Sequence, residues 1–221
     1  MNQVPYYKQM EKIISEHVEK SERKKLLLHS CCAPCSSHCM ELLREYFDIT
    51  VFYYNPNISS EPEYIKRLEE EKRLIEAYNR QVLEGDFAGM NSTPNASVIE
   101  IIDGEYEPEL FYEAARGLEN CPEGGDRCRE CFRLRLRRSA EVAAERGFDY
   151  LTTTLTISPL KNANYLNEIG REEADKVNVL WLPSDFKKKE GYKRSIELST
   201  RFDLYRQDYC GCVYSKRDRE K

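Results

Sequence analysis

The sequence Leu26-Leu27-Leu28-His29-Ser30-Cys31-Cys32-Ala33-Pro34-Cys35 joins a short apolar run to a cysteine-rich segment. The apolar run over residues 26–29 predicts a buried strand, because it is too short for a helix and ends at polar residues. Residues 30–37 contain a proline and show no periodicity, which predicts a loop. The stretch therefore places three cysteine thiols directly after a buried strand.

The segments on either side alternate between apolar runs and helical periodicity. We predict helices over residues 1–24, 39–46, 62–78, 109–118, 132–146 and 162–178, and strands over 26–29, 49–54, 98–102, 150–154 and 179–182. This alternation is typical of an α/β fold with a parallel sheet and helices on both faces. Such sheets bind ligands at the carboxyl ends of their strands. We therefore expect an N-terminal helix, residues 1–24, and one α/β domain, residues 25–221, with its functional site at the strand ends.

The chain has 221 residues, 33% of them charged, and a formal net charge of −5. It contains no apolar run of the length that a membrane span or a secretory signal requires, so we expect a soluble, cytoplasmic protein without membrane or DNA partners. The charge is uneven, with 18 acidic and 8 basic residues over 61–130 but 11 basic and 6 acidic residues over 187–221. The basic C-terminal segment suits a polyanionic partner, although an ordinary solvated surface has the same composition.

Nine cysteines fall into three clusters. The first holds Cys31, Cys32, Cys35 and Cys39, the second Cys121, Cys128 and Cys131, and the third Cys210 and Cys212. Clustered thiols in a reducing compartment bind metals or carry out redox chemistry more often than they form structural disulfides. The alternative is that each thiol is simply a small buried hydrophobic side chain, and the clustering favours chemistry over that interpretation.

Two of the cysteine pairs together offer four thiolates, the number that both zinc and iron–sulfur sites accept. The pairs are Cys31 with Cys32, and the C-x-x-C motif of Cys128 and Cys131. We favour an iron–sulfur cluster, because positive charge and helix N-termini stabilise thiolates and an anionic cluster. Arginines surround the second pair, at Arg127, Arg129 and Arg133. A structural zinc ion, the alternative, more often holds together a small local knuckle.

The third cluster, Cys210-Gly211-Cys212, is a C-x-C pair. Residues two apart reach disulfide geometry only with distortion, and a strained disulfide is easily reduced. The pair therefore suits a redox-active or metal-sharing role, with two incidental thiols as the alternative. Cys39 lies at helical spacing from Cys35 and is either a packing residue or a spare ligand. His29 either binds a cluster sulfur or is an ordinary core histidine.

Five motifs occur in the same order as in a known family. They are His29-Ser30-Cys31-Cys32-Ala33-Pro34-Cys35, Asn55-Pro56-Asn57-Ile58, Arg127-Cys128-x-x-Cys131-Phe132-x-Leu134-Arg135-Leu136, Thr153-Thr154-Leu155-x-Ile157-Ser158-Pro159 and Cys210-Gly211-Cys212. In these motifs the chain resembles the cobalamin-independent epoxyqueuosine reductases of the QueH type, over about residues 26–214. Five motifs in series are far more specific than any one of them.

The resemblance implies both a fold and a reaction. The fold would be a parallel sheet of the adenine-nucleotide hydrolase (HUP-like) type. The reaction would reduce the epoxide of epoxyqueuosine, at the wobble position of tRNA, to queuosine with loss of the oxygen as water, using an external electron donor. The implied ligands of a [4Fe-4S] cluster are Cys31, Cys32, Cys128 and Cys131. Cys210 and Cys212 would form a redox-active disulfide or hold a second iron, which Cys35 would link to the cluster.

The reaction also needs protons. Besides Cys210 and Cys212, we expect Asp126 and Asp208 at the catalytic site as proton donors. Tyr54 and Lys161 are further candidates, and the sequence does not rank the four.

A tRNA partner needs basic residues that contact phosphates. The candidate segments are residues 133–138 and 187–194. Two alternative functions stay open at this point. One is a zinc-stapled RNA-binding module without redox activity. The other is a thiol–disulfide oxidoreductase that uses Cys32 and Cys35, which would leave the other clustered cysteines without a role.

Overall fold

The computed structural model describes residues 5–219, which form five strands and eight α-helices. In chain order the elements are α1 (Tyr6–Glu19), β1 (Lys24–Ser30), α2 (Ala33–Leu43), β2 (Phe47–Tyr53), α3 (Glu61–Glu84), β3 (Glu100–Asp103), α4 (Pro108–Ala114), α5 (Asp126–Glu145), β4 (Tyr150–Thr153), α6 (Ala163–Asp175), β5 (Leu180–Trp181), α7 (Gly191–Arg201) and α8 (Val213–Arg219). A single 3-10 turn, Thr154–Ile157, follows β4. Within the described residues, no helix has the length and apolar character needed to cross a bilayer.

The five strands form one parallel sheet in the order β3-β2-β1-β4-β5. Strand β1 lies at its centre, with Ser30 opposite Tyr53 of β2 and His29 opposite Thr153 of β4. The chain passes from β1 to one side first and returns to the other side later, so the strand order reverses at β1. Ligands of open α/β sheets bind at such a reversal, beyond the carboxyl ends of the strands.

The apolar run in β1 contributes side chains to two hydrophobic cores, one on each face of the sheet. Leu26 and Leu28 pack with residues of α2 and α3 on one face of the sheet. Leu27 packs with residues of α5 and α6 on the other face. Successive side chains of a strand point to opposite faces, so a strand that is covered on both sides reads as a continuous apolar run. The predicted parallel α/β sheet with helices on both faces is confirmed, and its order is compatible with a HUP-like type.

The predicted N-terminal helix corresponds to α1, which ends at Glu19. Residues 1–4 of that prediction lie outside the described residues, as do residues 220–221 of the predicted domain. Buried Met10 anchors α1 on the core that contains Leu26 and Leu28. The helix therefore packs on the same sheet as the rest of the described chain.

Two helices begin earlier than the sequence predicts. The loop over residues 30–37 ends early, because α2 begins at Ala33 and includes Cys35. Proline is tolerated in the first turn of a helix, where its missing N–H has no intrahelical partner, so Pro34 is compatible with the first turn of α2. Similarly, α5 begins at Asp126 and not at the predicted residue 132, so Cys128 and Cys131 lie in its first turns. Both cysteine motifs therefore lie at helix N-termini.

Candidate metal centre

Three cysteines meet where β1 ends. The Sγ atoms of Cys31, Cys32 and Cys35 all lie within 4.8 Å of one another, and those of Cys31 and Cys32 are 3.6 Å apart. Cys32 precedes the first residue of α2, and Cys35 lies in its first turn. Hydrogen bonds from Cys32 and Cys35 hold the pKa of Cys31 well below its ordinary value. The trio therefore favours a thiolate at Cys31, the form that binds metals.

A cavity of about 370 Å³, here called the cysteine cavity, opens beside this trio. Cys31 and Cys35 form one wall, the segment after β4 contributes Lys161, and the C-terminal segment contributes Asp208 and Cys210. The walls thus come from the carboxyl ends of two neighbouring strands and from a segment far along the chain. This is the position that the strand order predicts for the functional site.

A smaller cavity of about 30 Å³ adjoins it, here called the inner cavity. Four cysteines line it: Cys128, Cys131, Cys210 and Cys212. Backbone N–H groups donate to two of these sulfurs, from Gly124 to Cys128 over 3.2 Å and from Ser215 to Cys212 over 3.3 Å. Cys210 lines both cavities. The structure therefore brings all three cysteine clusters to one region, although Cys128 and Cys131 are not part of the close trio.

Arg135 is a buried cation among these thiols, with only 1% of its surface exposed. Its Nε donates to the carbonyl oxygen of Cys131 over 3.3 Å, and its Nη1 to Oδ1 of Asn55 over 3.5 Å. Its Nη2 is buried and has no hydrogen-bond partner among the described residues. Although burial lowers the pKa of Arg135, the thiols of Cys131, Cys210, Cys31 and Cys128 together raise it above its ordinary value. A buried guanidinium with a free donor is costly unless an anion faces it.

A second cation, Lys161, lines both cavities. Removal from water disfavours its charged form, but the facing sulfurs of Cys210, Cys31 and Cys35 leave the pKa of Lys161 above its ordinary value. Lys161 makes no ion pair among residues 5–219. The two cations give the region a positive potential that an anionic metal–thiolate group would neutralise.

The C-x-C segment is held in place by residues that follow β2. Asn57 Nδ2 donates to the carbonyl oxygen of Cys210 over 3.4 Å. The backbone N–H of Ser59 donates to the carbonyl oxygen of Gly211 over 3.1 Å. Gly211 has φ of 112°, and a Cβ there would lie 2.9 Å from Ile58. Only glycine fits this left-handed conformation and close approach. The Asn55-Pro56-Asn57 motif therefore has a structural role in docking the third cysteine cluster.

Arg67 and Glu71, both on α3, are buried charged residues that none of the sequence motifs includes. Arg67 donates to Glu63 over 2.7 Å and to the carbonyl oxygen of Cys210 over 3.3 Å. Glu71 is 0% exposed, and neither of its carboxyl oxygens has a hydrogen-bond partner among the described residues. Burial raises the pKa of Glu71 to about 8, against the opposing effect of the nearby Ser36 and Ser30 hydroxyls. Glu71 is therefore mostly protonated at neutral pH.

The predicted proton donors lie in different places. Asp208 and Lys161 line the cysteine cavity. The side chain of Asp126 is 73% exposed and lies 4.0 Å from Arg129, outside the walls of both cavities. Tyr54 donates to Glu107 over 3.0 Å and also lies outside those walls. The geometry therefore ranks Asp208 and Lys161 above Asp126 and Tyr54, a ranking that the sequence alone did not provide.

His29 proves to be a core histidine. Its Nδ1 is 2.9 Å from Oγ1 of Thr153, and its Nε2 is 3.1 Å from the carbonyl oxygen of Tyr54. Burial, with the positive charge of Arg135, lowers the pKa of His29 to about 3. Both ring nitrogens are occupied, so the imidazole has no free atom for a cluster sulfur.

The nine cysteines are all free thiols in this structure. Cys39 is fully buried and donates to the carbonyl oxygen of Cys35 over 3.3 Å within α2. It packs in the core with Leu43 and Met40. The geometry thus favours the packing role for Cys39 over that of a spare ligand.

The two basic segments expected to bind tRNA are largely neutralised by carboxylates. In the first segment Arg133 and Arg137 pair with Glu173, Arg138 pairs with Glu141 and Glu145, and Arg135 is buried. In the second, Lys187 pairs with Asp185, Lys189 with Glu11, Lys193 with Glu190, and Arg194 with Glu41. Paired or buried cations attract phosphates weakly, so both segments are poorer candidates than their composition indicates.

Comparison with known proteins connects this site to one family. A family model described as "Epoxyqueuosine reductase QueH" matches residues 26–218, which include all nine cysteines. The chain belongs to the QueH family. It is 41% identical over 214 residues to an epoxyqueuosine reductase QueH of Staphylococcus epidermidis, covering 96% of this chain and 84% of the relative. It is 38% identical over 212 residues to that of Streptococcus pyogenes serotype M1, covering 96% and 78%.

A more distant QueH protein also matches this chain over most of its length. The relative from Thermotoga maritima is 32% identical over 199 residues, covering 89% of this chain and 92% of the relative. The resemblance that the sequence motifs indicate is therefore confirmed. In this QueH chain the matched region extends from β1 to α8 and contains every element that lines the two cavities.

Proposed function

We propose that this protein reduces the epoxide of epoxyqueuosine in tRNA to queuosine, with an iron–sulfur cluster at the cysteine cavities and an external electron donor. In the balanced reaction the epoxide takes up two electrons and two protons. Both carbon–oxygen bonds of the ring break, a carbon–carbon double bond forms, and the oxygen leaves as water. Membership of the QueH family supports this reaction.

The observation that carries the cofactor assignment is the buried guanidinium of Arg135. Its Nη2 is buried and has no hydrogen-bond partner among the described residues. The sulfurs of Cys31, Cys128, Cys131 and Cys210 all raise the pKa of the guanidinium. Four thiolates with a [4Fe-4S] core form an anionic group, which suits a cavity with a buried, unneutralised cation. We propose Cys31, Cys32, Cys128 and Cys131 as the cluster ligands. A cluster held by these residues would supply electrons one at a time.

Cys210 and Cys212 complete the proposed site. Cys210 lines both cavities, and Cys35 also lines the larger one. We propose that Cys210 and Cys212 act either as a redox-active pair or, with Cys35, as ligands of a second iron. Both roles require Cys210 to stay at the boundary between the cavities, where Asn57 and Arg67 hold its carbonyl oxygen.

Protons come from residues that face the cysteine cavity. Lys161 stays protonated at neutral pH, because the facing sulfurs offset the lowering effect of burial on its pKa. Its ammonium group suits the stabilisation of negative charge on the epoxide oxygen and the donation of a proton to it. Asp208 lines the same cavity, and it is the second proposed donor.

The alternative function is that of an RNA-binding module in which the cysteines hold a structural zinc ion and carry out no redox chemistry. The relatives named above are reductases, so the comparisons do not favour it. Metal identity separates the two hypotheses.

The decisive experiment begins with anaerobic purification, followed by quantification of iron, sulfide and zinc and a visible spectrum. We expect iron and sulfide in about equal amounts and a brown colour that dithionite bleaches. The loaded protein and a reductant should then convert epoxyqueuosine in tRNA to queuosine, detected by mass spectrometry of the nucleosides. Colourless protein that holds only zinc, without sulfide, would contradict the cluster, and loaded protein that leaves the epoxide intact would contradict the reaction.

A further inference from the structure

A third cavity, here called the outer cavity, lies next to the cysteine cavity and has a volume of about 510 Å³. Tyr209 belongs to the walls of both. Three helices contribute to its other walls, with Lys66 on α3, Tyr112 on α4 and Lys216 on α8. Tyr209 is therefore the residue that the two cavities share.

The outer cavity carries cations without carboxylate partners. Lys66 and Lys216 are both exposed, and neither makes an ion pair among residues 5–219. The Nζ of Lys66 lies 3.4 Å from the ring centroid of Tyr205, which positions the ammonium without neutralising it. This differs from residues 133–138 and 187–194, where most cations face carboxylates.

One carboxylate, Glu63, lines the outer cavity, but its charge is already compensated. Arg67 donates to it over 2.7 Å, and the Tyr205 hydroxyl donates over 3.2 Å. The guanidinium of Arg67 is buried, so the ion pair between Glu63 and Arg67 lies on the protein side of the cavity wall. Lys66 and Lys216 are therefore the cations of this cavity that make no ion pair within residues 5–219.

The aromatic side chains of the outer cavity are accessible. Tyr112 is 43% exposed, and Tyr209 is half-buried between the two cavities. Free lysines beside exposed aromatic rings match the chemistry of a single nucleic-acid strand, whose phosphates bind cations and whose bases stack. An acidic peptide would use the lysines but has no general need for the rings.

We propose that the outer cavity binds the nucleotides of the tRNA anticodon loop that neighbour the modified nucleotide. Lys66 and Lys216 bind their phosphates, and Tyr112 stacks against an unpaired base. Tyr209 separates these nucleotides from the one that enters the cysteine cavity. This inference rests on the proposed function, because it takes the modified nucleotide to occupy the cysteine cavity.

The test measures binding of an epoxyqueuosine-containing anticodon stem-loop to the metal-loaded protein at several salt concentrations. We expect Lys66→Gln/Lys216→Gln to bind about tenfold more weakly at low salt, with a slope of log K against log salt smaller by about 1.4, since each lost contact to a single strand removes about 0.7. Tyr112→Ala should weaken binding about tenfold without changing the slope, because stacking carries no counterion term.

The matched control is Lys188→Gln/Lys193→Gln, which removes two exposed lysines from the other basic segment. It should change affinity by less than about twofold, and all variants should keep the wild-type iron content and urea midpoint. Wild-type affinity and slope in Lys66→Gln/Lys216→Gln would overturn the proposal. So would wild-type affinity for the stem-loop in Tyr112→Ala, since binding through the lysines without the ring is what an acidic peptide would show.

The outcomes for this surface and for the reaction are distinguishable. If the stem-loop binds in a manner that depends on Lys66 and Lys216 but its epoxide stays intact, the RNA surface is supported and the proposed reaction fails. If the epoxide is reduced with equal efficiency by wild type and Lys66→Gln/Lys216→Gln, the reaction stands and the outer cavity is overturned as the RNA site.

Discussion

Arg67 donates a hydrogen bond of 3.3 Å to the carbonyl oxygen of Cys210, although 143 positions separate the two residues along the chain. The same guanidinium pairs with Glu63 and lies 5.2 Å from the ring centroid of Tyr209. One buried side chain thus fixes the C-x-C segment to helix α3. Through Glu63 and Tyr209 it also connects the cysteine cavity to the outer cavity.

Removal of the Arg67 guanidinium should destabilise the protein strongly. Arg67→Met leaves Glu63 without its cation and Cys210 without a donor, so the free energy of unfolding should fall by about 3–5 kcal/mol in urea titrations. Arg138→Met, which breaks an exposed ion pair, should cost no more than about 1 kcal/mol. Equal losses in the two variants would show that Arg67 is not a structural anchor.

The buried carboxyl of Glu71 should make stability depend on pH. Its pKa of about 8 in the folded protein lies above the 4.5 of a free glutamate, so the folded state binds the extra proton. The stabilisation of the folded state by this proton is complete below about pH 4.5 and is lost as the pH rises through about 8. Glu71→Gln has no such loss, so its stability relative to wild type should increase between about pH 5 and pH 8.

Urea unfolding of metal-free wild type and Glu71→Gln at about pH 5, 6.5 and 8 measures this difference. Glu84→Gln, an exposed substitution on the same helix, controls for the change of residue. A difference between wild type and Glu71→Gln that stays constant with pH would mean that Glu71 is not protonated in the folded protein.

The proposed ligand set predicts a contrast between two cysteines. Cys128→Ala should abolish the visible absorbance near about 400 nm, because the cluster loses one of four ligands. Cys39→Ala should retain that absorbance and its iron, since Cys39 packs in the core and bonds within its own helix. An unchanged spectrum in Cys128→Ala would remove Cys128 from the ligand set, and a colourless Cys39→Ala would place Cys39 in it.

Helix α6 packs so closely on β5 that a methyl group added at Gly170 should displace the side chain of Trp181. A Cβ at Gly170 would lie 2.3 Å from Cη2 of Trp181, so the indole must move. Overpacking costs about 1–3 kcal/mol, whereas alanine improves helix propensity by only about 1 kcal/mol, so Gly170→Ala should be destabilising or at best neutral. Because the chain has 1 tryptophan, its fluorescence reports the movement directly.

Glu168→Ala is the matched control, because Glu168 is an exposed residue of the same helix. It should change stability by less than about 0.5 kcal/mol and leave the emission spectrum unchanged. Wild-type emission in Gly170→Ala would contradict the prediction, because it would show that the indole does not move and that the helix shifts instead.

Much of the fold follows from local patterns in the sequence. The run at residues 26–29 is apolar at successive positions because both faces of β1 are covered, and the turn at Asn55-Pro56-Asn57 ends the neighbouring strand. Predicted helix boundaries differ from the structure at the end of α3 and, by as many residues, at the start of the two helices that carry the cysteine motifs. There, Pro34 and the polar residues around Cys128 resemble a loop, whereas the structure uses them in the first turns of α2 and α5.

The buried charges near the cysteines leave a signal in the sequence that the motifs do not capture. Arg67 and Glu71 fall on the buried stripe of α3 between Tyr64 and Tyr78, and Arg135 falls on that of α5 beside Leu136. Charged residues at core positions of an amphipathic helix are rare unless they are paired. Such positions can be found from helical periodicity alone.

The sequence by itself determined the alternation of strands and helices, the cysteine motifs and the family, because periodicity, spacing and motif order are local properties of the chain. Only the tertiary structure decided which of the lysines and arginines lack carboxylate partners, that Cys210 lies between two cavities, and that Lys66 and Lys216 meet at a third. Those relationships join residues from distant segments, and packing of the helices on the sheet is what brings them together.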